Sequence, residues 1–456
     1  MNIETDIKAY TGRPAMISAK PELVSKHLSA LEPLAKSRDA IDAILRDLIK
    51  VGDRAMIERA RKLQSRLSEM EPAITMIGQV KAGKTSLVNA MVGKPGLLPS
   101  DVNPWTSVVT SLHLNPRASA AQNSARFEFL GRMDWDRLVK GGGRIGELAR
   151  RAGADSELAR VTEQVAALRE KSRKRLGDKF EMLLGQDHDY GYFDGDLIER
   201  YVCLGDDFED DTDISRDRGR FADITKSAHI NMAHDATPMR LCIRDTPGVN
   251  DTFLVREQIT MKAIRGSQLC VVVLAAHQAL STVDLALMRL ISNLKSRDVV
   301  IFVNRIDELS DPDNQVPEIR ESILNTLKTH QGPETAEVIF GSAAWANHLL
   351  EDRLADLDRD SADALLNYTK GQVGSLPDGL SDDEIVWHLS GLGQLHEAMA
   401  NRIAAGQAIS RCNPSPAART TFWAGSRSPK SGPTPALQPT PCPLIRRPHS
   451  QSSRRW

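Results

Sequence analysis

The stretch Gly78-Gln79-Val80-Lys81-Ala82-Gly83-Lys84-Thr85 limits what this chain can become more than any other. An apolar run, Ala73-Ile74-Thr75-Met76-Ile77, leads into it, and Ser86-Leu87-Val88-Asn89-Ala90 follows with helical character. A strand, a glycine-rich turn and a helix in that order bring backbone N–H groups and the positive end of a helix to one point, which is what a phosphate needs. Gly78, Gln79, Val80, Lys81, Ala82, Gly83, Lys84, Thr85 and Ser86 are therefore the candidate nucleotide-binding residues at this end. Lys84 would reach the outer phosphates, and the Thr85 hydroxyl would ligate Mg²⁺.

A loop of this kind sits at the end of a sheet strand, and the pattern downstream supplies the sheet. Short apolar runs recur at Ser107–Leu114, Met239–Arg244, Leu269–Leu274, Val299–Val303 and Val338–Phe340, with helical stretches such as Val283–Leu294 and Ile319–Leu327 between most of them. Alternation of this kind predicts an α/β fold, a doubly wound and mostly parallel sheet covered on both faces. Residues 1–70 read as a separate helical segment. Ile41, Ile44, Leu45 and Leu48 make one apolar stripe, and Met56, Ala60, Leu63, Leu67 and Met70 make another, with a turn at Gly52-Asp53. The hairpin either packs on the next domain or offers a self-association surface. Residues 71–406 form the nucleotide-binding domain. A partly helical insert at about 115–238 interrupts it, with Leu158, Val161, Val165 and Leu168 at helical spacing. The insert's acidic cluster (Asp206, Asp207, Glu209, Asp210, Asp211, Asp213) lacks the spacing of a calcium loop and reads as a solvated loop. Residues 407–456 carry no Asp or Glu but many Arg and Pro, a composition that cannot bury a core and predicts disorder.

Composition narrows the function classes. With 41% hydrophobic and 26% charged residues and a formal net charge of -1, the chain has no global basic surface for nucleic acid, and no specific nucleic acid is expected. Only the basic tail would attract anionic lipid or RNA. The N-terminus is too polar for a secretory signal. No apolar run approaches the roughly 18 residues of a membrane span, which predicts a cytoplasmic protein with peripheral contact to a membrane surface left open. The five cysteines form no CxxC pair, and Cys242 and Cys270 lie in apolar runs that read as buried strands, so small core thiols are expected.

Further motifs follow the phosphate loop in chain order. Asp245-Thr246-Pro247-Gly248 ends an apolar run, where the Asp245 carboxylate would hold Mg²⁺ through water and the Gly248 N–H would face the last phosphate. Asn304-Arg305-Ile306-Asp307 ends another. There Asp307 would accept two hydrogen bonds from guanine, which adenine cannot donate, and the Arg305 stem and guanidinium would lie over the base. Ser342-Ala343 follows Val338–Phe340 and would offer a backbone N–H to the guanine oxygen. Between the phosphate loop and Asp245 a threonine should close over phosphate and Mg²⁺. Thr106, in a Pro-rich loop just before a strand, is the candidate, with Thr110 as competitor.

On these residues the chain resembles the bacterial dynamin-like GTPases. Gly78 to Ala90 is similar to that family's phosphate loop, and Asn103-Pro104-Trp105-Thr106-Ser107-Val108-Val109-Thr110 and Asp245-Thr246-Pro247-Gly248-Val249-Asn250-Asp251 are similar to its switches. The resemblance covers roughly Glu71 to Gly406. It implies a GTPase that binds GTP and GDP, uses Mg²⁺ and works as a homodimer or higher self-assembly across the nucleotide face. The family's helical stalk and lipid-binding tip are not expected in this sequence, since the basic tail begins where the stalk would.

In Ras-type GTPases a glutamine after the Asp-x-x-Gly motif positions the attacking water. Val249 stands at that position and cannot do so. Lys81 is the candidate replacement charge, with Gln79 or a second subunit as the other sources. The catalytic candidates are thus Lys81, Thr106 and Gly248, and the metal candidates Thr85, Thr106 and Asp245. The readings kept open are a self-associating GTPase, a slow switch acting through a protein partner, and a remnant of a larger GTPase.

Overall fold

The computed structural model describes residues 20–100, 108–134, 166–167, 169–203, 219–248, 260, 262–278, 284, 298–329 and 336–412. Helices α1 (Pro21–His27), α2 (Glu32–Val51) and α3 (Arg54–Ser68) precede the first strand. The turn between α2 and α3 is where the sequence placed it. Gly52 ends α2, and Asp53 caps α3 by accepting the Met56 N–H at 2.8 Å. The stripes behave differently from expectation. Leu45 and Ala60 are buried, whereas Ile41, Ile44, Met56 and Leu63 are exposed. Only the first half of α2, through Leu34 and Ala35, joins the core of the domain.

Among the described residues that core is built on a nine-stranded sheet, in the order β4 (Asp187–Tyr190), β3 (Ser124–Phe129), β5 (Thr225–Ala233), β2 (Val109–Asn115), β6 (Leu241–Asp245), β1 (Ala73–Gly78), β7 (Leu269–Ala275), β8 (Asp298–Asn304) and β9 (Glu337–Phe340). Strand β1 (Ala73–Gly78) lies between β6 (Leu241–Asp245) and β7 (Leu269–Ala275), parallel to both. Strands β8 (Asp298–Asn304) and β9 (Glu337–Phe340) continue the parallel set. Every residue of β1 and β7 is buried, as expected for strands covered on two faces, which is why they read as unbroken apolar runs. Helix α4 (Lys84–Val92) packs Leu87, Val88, Met91 and Val92 into the core and stops at Gly93, whose φ of 67° closes it. The expected helix at Val283–Leu294 lies outside the described residues apart from Asp284.

The insert is the largest departure from expectation. It does not simply interrupt the sheet but widens it. β2 (Val109–Asn115) runs antiparallel to β6 and parallel to β5 (Thr225–Ala233). β3 (Ser124–Phe129) and β4 (Asp187–Tyr190) add antiparallel strands at that edge. Aromatic packing binds this edge together, with Phe127 stacked on Tyr201 at 3.9 Å between centroids and Phe129 and Phe221 beside them. The short strands were hidden because their polar residues alternate over only a few positions, as in the burial pattern of β3. The helical stretch through Leu158 and Val165 and the acidic cluster at 206–213 lie outside the described residues.

At the far end of the chain, the helix expected at Leu392–Ile403 spans Leu392–Cys412 and so runs past Gln407. Within the described residues, α1 and the first half of α2 pack into the same core as the sheet.

The C-terminal end of α4 is held by two buried imidazoles. His234 Nε2 donates to the Val92 carbonyl at 2.8 Å, and His396 Nε2 donates to the Met91 carbonyl at 3.0 Å. Burial pushes His396 down to about 4 and lowers His234 as well. A histidine whose proton affinity is lower folded than unfolded stabilises the fold fully above the unfolded value, here 6.5, and loses that contribution as pH falls towards about 4. Unfolding in denaturant should show stability falling between pH 6.5 and 4, with up to about 3 kcal/mol from His396. His396→Gln keeps a donor for Met91 and should flatten part of that slope.

Candidate functional site

The C-terminal ends of β1, β6 and β8 deliver the site. Gly78 closes β1 where an added Cβ would stand 2.3 Å from the Val273 carbonyl oxygen, so only glycine lets the loop turn there. Lys81, with a φ of 64°, is exposed at the tip of the turn, and Gly83, with a φ of 81°, opens α4. Lys84 is buried, and its ammonium donates to the Gln79 carbonyl at 2.8 Å, back across the loop it is to serve.

Asp245 sits at the end of β6, fully buried. Its Oδ2 accepts the Thr85 hydroxyl at 2.7 Å, while Oδ1 has no hydrogen-bond partner. Burial pushes the carboxyl upward, and the Lys84 ammonium and the Thr85 hydrogen bond act against that. A buried carboxylate oxygen left unpaired beside a threonine hydroxyl suits a hard cation with oxygen ligands, so these residues fit Mg²⁺. The turn behind Asp245 is fixed to the loop. Thr246 Oγ1 donates to the Met76 carbonyl at 2.6 Å, and a Cβ on Gly248 would lie 2.7 Å from the Val80 nitrogen. Thr106 and Val249 lie outside the described residues. Thr110 falls within β2, buried and paired in register with Asp245.

Asn304 joins the two halves of the site. Its Nδ2 donates to the Ala82 carbonyl at 3.0 Å and lies 3.5 Å from that of Gly83, while its Oδ1 accepts the Ala343 N–H at 2.9 Å. A side chain on Gly83 would strike Nδ2 at 2.3 Å. Arg305, with a φ of 71°, turns the chain into a short 3-10 helix that carries Asp307, half-buried. The Arg305 guanidinium bonds the Lys81 carbonyl at 2.9 Å and Glu308 at 2.6 Å. It thus braces the phosphate loop in this structure.

The Ser342 N–H donates to the Ser390 carbonyl at 3.0 Å and its hydroxyl accepts the Trp345 N–H at 3.1 Å, while the Ala343 N–H is taken by Asn304. Ser342 thereby caps the helix Ala343–Leu350. Two further residues carried no motif. Asp284, buried, accepts from Gln79 Nε2 at 2.6 Å, and Asn347 donates to the Ser86 carbonyl at 3.0 Å. Asp284 belongs to a stretch read only as helical, and nothing in one sequence marks it. A cavity of about 200 Å³ beside the loop is lined by Gln79, Lys81, Val273, His277, Asp284 and Arg305.

A family model described as the dynamin family matches residues 74–307, half of the chain. The chain belongs to the dynamin family. No curated protein matches the sequence. Among solved structures, an oligomerised bacterial dynamin pair, described as providing a mechanism for the long-range sensing and tethering of membranes, has a TM-score of 0.51 at 17% identity. The match covers 90% of this chain and 56% of that one. A second structure of such a pair gives 0.48 at 17% identity, with 90% and 60% covered. Era, in complex with MgGDPNP and 16S ribosomal RNA nucleotides, gives 0.26 at 12%, with 68% and 58% covered. This dynamin-family chain therefore spans little more than half the length of the bacterial dynamins it matches.

Replacing Asn304 should damage both halves at once. Asn304→Ala leaves the buried Ala82 carbonyl and Ala343 N–H without their partner, at a cost of about 1–3 kcal/mol in stability. Denaturant unfolding reads that loss, and titration with a fluorescent GDP analogue should show affinity falling about tenfold or more.

Proposed function

We propose that this chain binds GTP with Mg²⁺ and hydrolyses it, and that self-association through the nucleotide face raises the rate. The observation that supports this best is the buried Asp245, with one oxygen on Thr85 and the other unpaired, beneath a loop whose lysine and glycines are all in place. Lys84 and the N–H groups of the loop would hold the phosphates, and Asp307 would select guanine over adenine. Bound Mg²⁺ would offset the phosphate charge between Thr85 and Asp245. The Gly248 N–H, kept against Val80, would face the last phosphate, and Thr106 is assigned the closing role on sequence grounds alone.

Val249 cannot orient water, so the charge that develops must be met from elsewhere. Lys81 is exposed at the tip of the loop, and its carbonyl is braced by Arg305. A second copy laid over this face would bury that ammonium against the phosphates, which is how self-association would act. A second reading, a slow switch working through a protein partner, draws support from the exposed Ile41, Ile44, Met56 and Leu63 on the hairpin. Contact with a membrane surface would be peripheral, since no helix among the described residues is long and apolar enough to cross one.

GTP turnover per molecule, followed as protein concentration rises through the micromolar range, tests the proposal with Lys84→Ala as the blank. The rate should climb with concentration, and Lys81→Ala should lower it about tenfold or more while GDP still binds. A flat and slow rate overturns self-activation in favour of the partner-dependent switch. An unchanged rate in Lys81→Ala removes that lysine from the mechanism.

A further inference from the structure

At the opposite end of β1 from the phosphate loop, three side chains of different chemistry converge. Glu71 lies in the link between α3 and β1, His113 in β2 and Cys242 in β6. The antiparallel register sets His113 directly opposite Cys242, so both face the same side of the sheet. The Cys242 N–H donates to the Pro72 carbonyl at 2.9 Å, which draws the link alongside. One carboxylate oxygen, one imidazole nitrogen and the sulfur all lie within 4.8 Å of one another. The sequence predicts Cys242 as a small core thiol in a buried strand. It is buried, but its neighbours here are an imidazole and a carboxylate.

We propose that Glu71, His113 and Cys242 form a site for one transition-metal ion of the Zn²⁺ class, which clamps the exit of α3 to the sheet. The donor set decides the class. Mg²⁺ and Ca²⁺ require oxygen, whereas thiolate, imidazole and carboxylate together suit Zn²⁺ and its first-row neighbours. Ligand atoms about 2.0–2.3 Å from a shared zinc stand roughly 3.3–3.8 Å apart, so side-chain rotations that shift the donor atoms by about an ångström reach that spacing.

The surroundings are those a metal ligand set uses. His113 Nδ1 faces Glu71 Oε2 at 2.7 Å, while Nε2 lies 3.1 Å from His229 Nδ1. With the metal on Nδ1, the Nε2–H donates to His229 and fixes the tautomer. The second Glu71 oxygen accepts from Arg240 at 3.1 Å, and Arg240 also donates to the Ser68 carbonyl at the end of α3. The chain thus leaves the helix, passes the site and enters β1 within a few residues. Binding displaces the Cys242 thiol proton and the proton shared by His113 and Glu71, both released to solvent, so the metal holds less well in acid. Three protein ligands leave one position for water.

The full chain, stripped with a chelator and titrated with Co²⁺, supplies the test. One equivalent should bind with a sulfur-to-cobalt charge-transfer absorption, be displaced by Zn²⁺ and be unaffected by Mg²⁺ with GDP, since the nucleotide site offers only oxygen. Cys242→Ser should abolish that absorption, and Glu71→Gln should weaken binding about tenfold, with retained GDP binding as the check on folding. No sulfur absorption in the unmodified chain overturns the proposal whatever the variants do. Absorption that persists in Cys242→Ser overturns it too, by pointing to another thiol.

Discussion

The carboxamide of Asn304 is the interaction on which the rest of the site depends. It spans from the Ala82 carbonyl in the phosphate loop to the Ala343 N–H beyond β9, so the parts proposed to read phosphate and base share one buried side chain. Both groups it satisfies are buried, where an unpaired donor or acceptor is costly, and this locks their relative position. Gly83 makes the arrangement possible by leaving room for Nδ2, and it also takes the left-handed conformation that starts α4.

Around that link the sheet acts as a rigid frame. The all-buried β1 and β7 hold Gly78 at a fixed height, β6 carries Asp245 to Thr85, and Thr246 fastens the following turn to β1. The pieces proposed to act on phosphate and cation are thus placed by strands, while Lys81 and the stretch after Gly248 lie at the surface or outside the described residues. Chemistry at such a site depends on what covers its exposed side, which is why a second copy or a partner enters the functional reading.

Much of this was legible in the sequence because the motifs sit at strand ends whose apolar runs cannot be mistaken. Gly78 to Thr85, Asp245 to Gly248 and Asn304 to Asp307 occupy the ends expected of them. What was hidden depends on neighbours distant in the chain. The role of Asn304 needs Ala82 and Ala343, and the Asp284 contact needs Gln79. The sheet edge formed by β3, β4 and β5 rests on aromatic packing among Phe127, Tyr201 and Phe221, residues with no shared period. The exposed stripe on α2 and α3 shows the converse error, since periodicity marks an apolar face but not what covers it. Cys242 illustrates it again in a strand, where its partners are set by register.

The most direct test of the central claim, that phosphate loop and base-reading turn act as one guanine-specific site, is calorimetric titration of the full chain with GDP and with ADP, both with Mg²⁺. The account predicts that GDP binds on the order of a thousandfold more tightly, because adenine leaves the Asp307 carboxylate without donors. Equal affinity for the two nucleotides would contradict it.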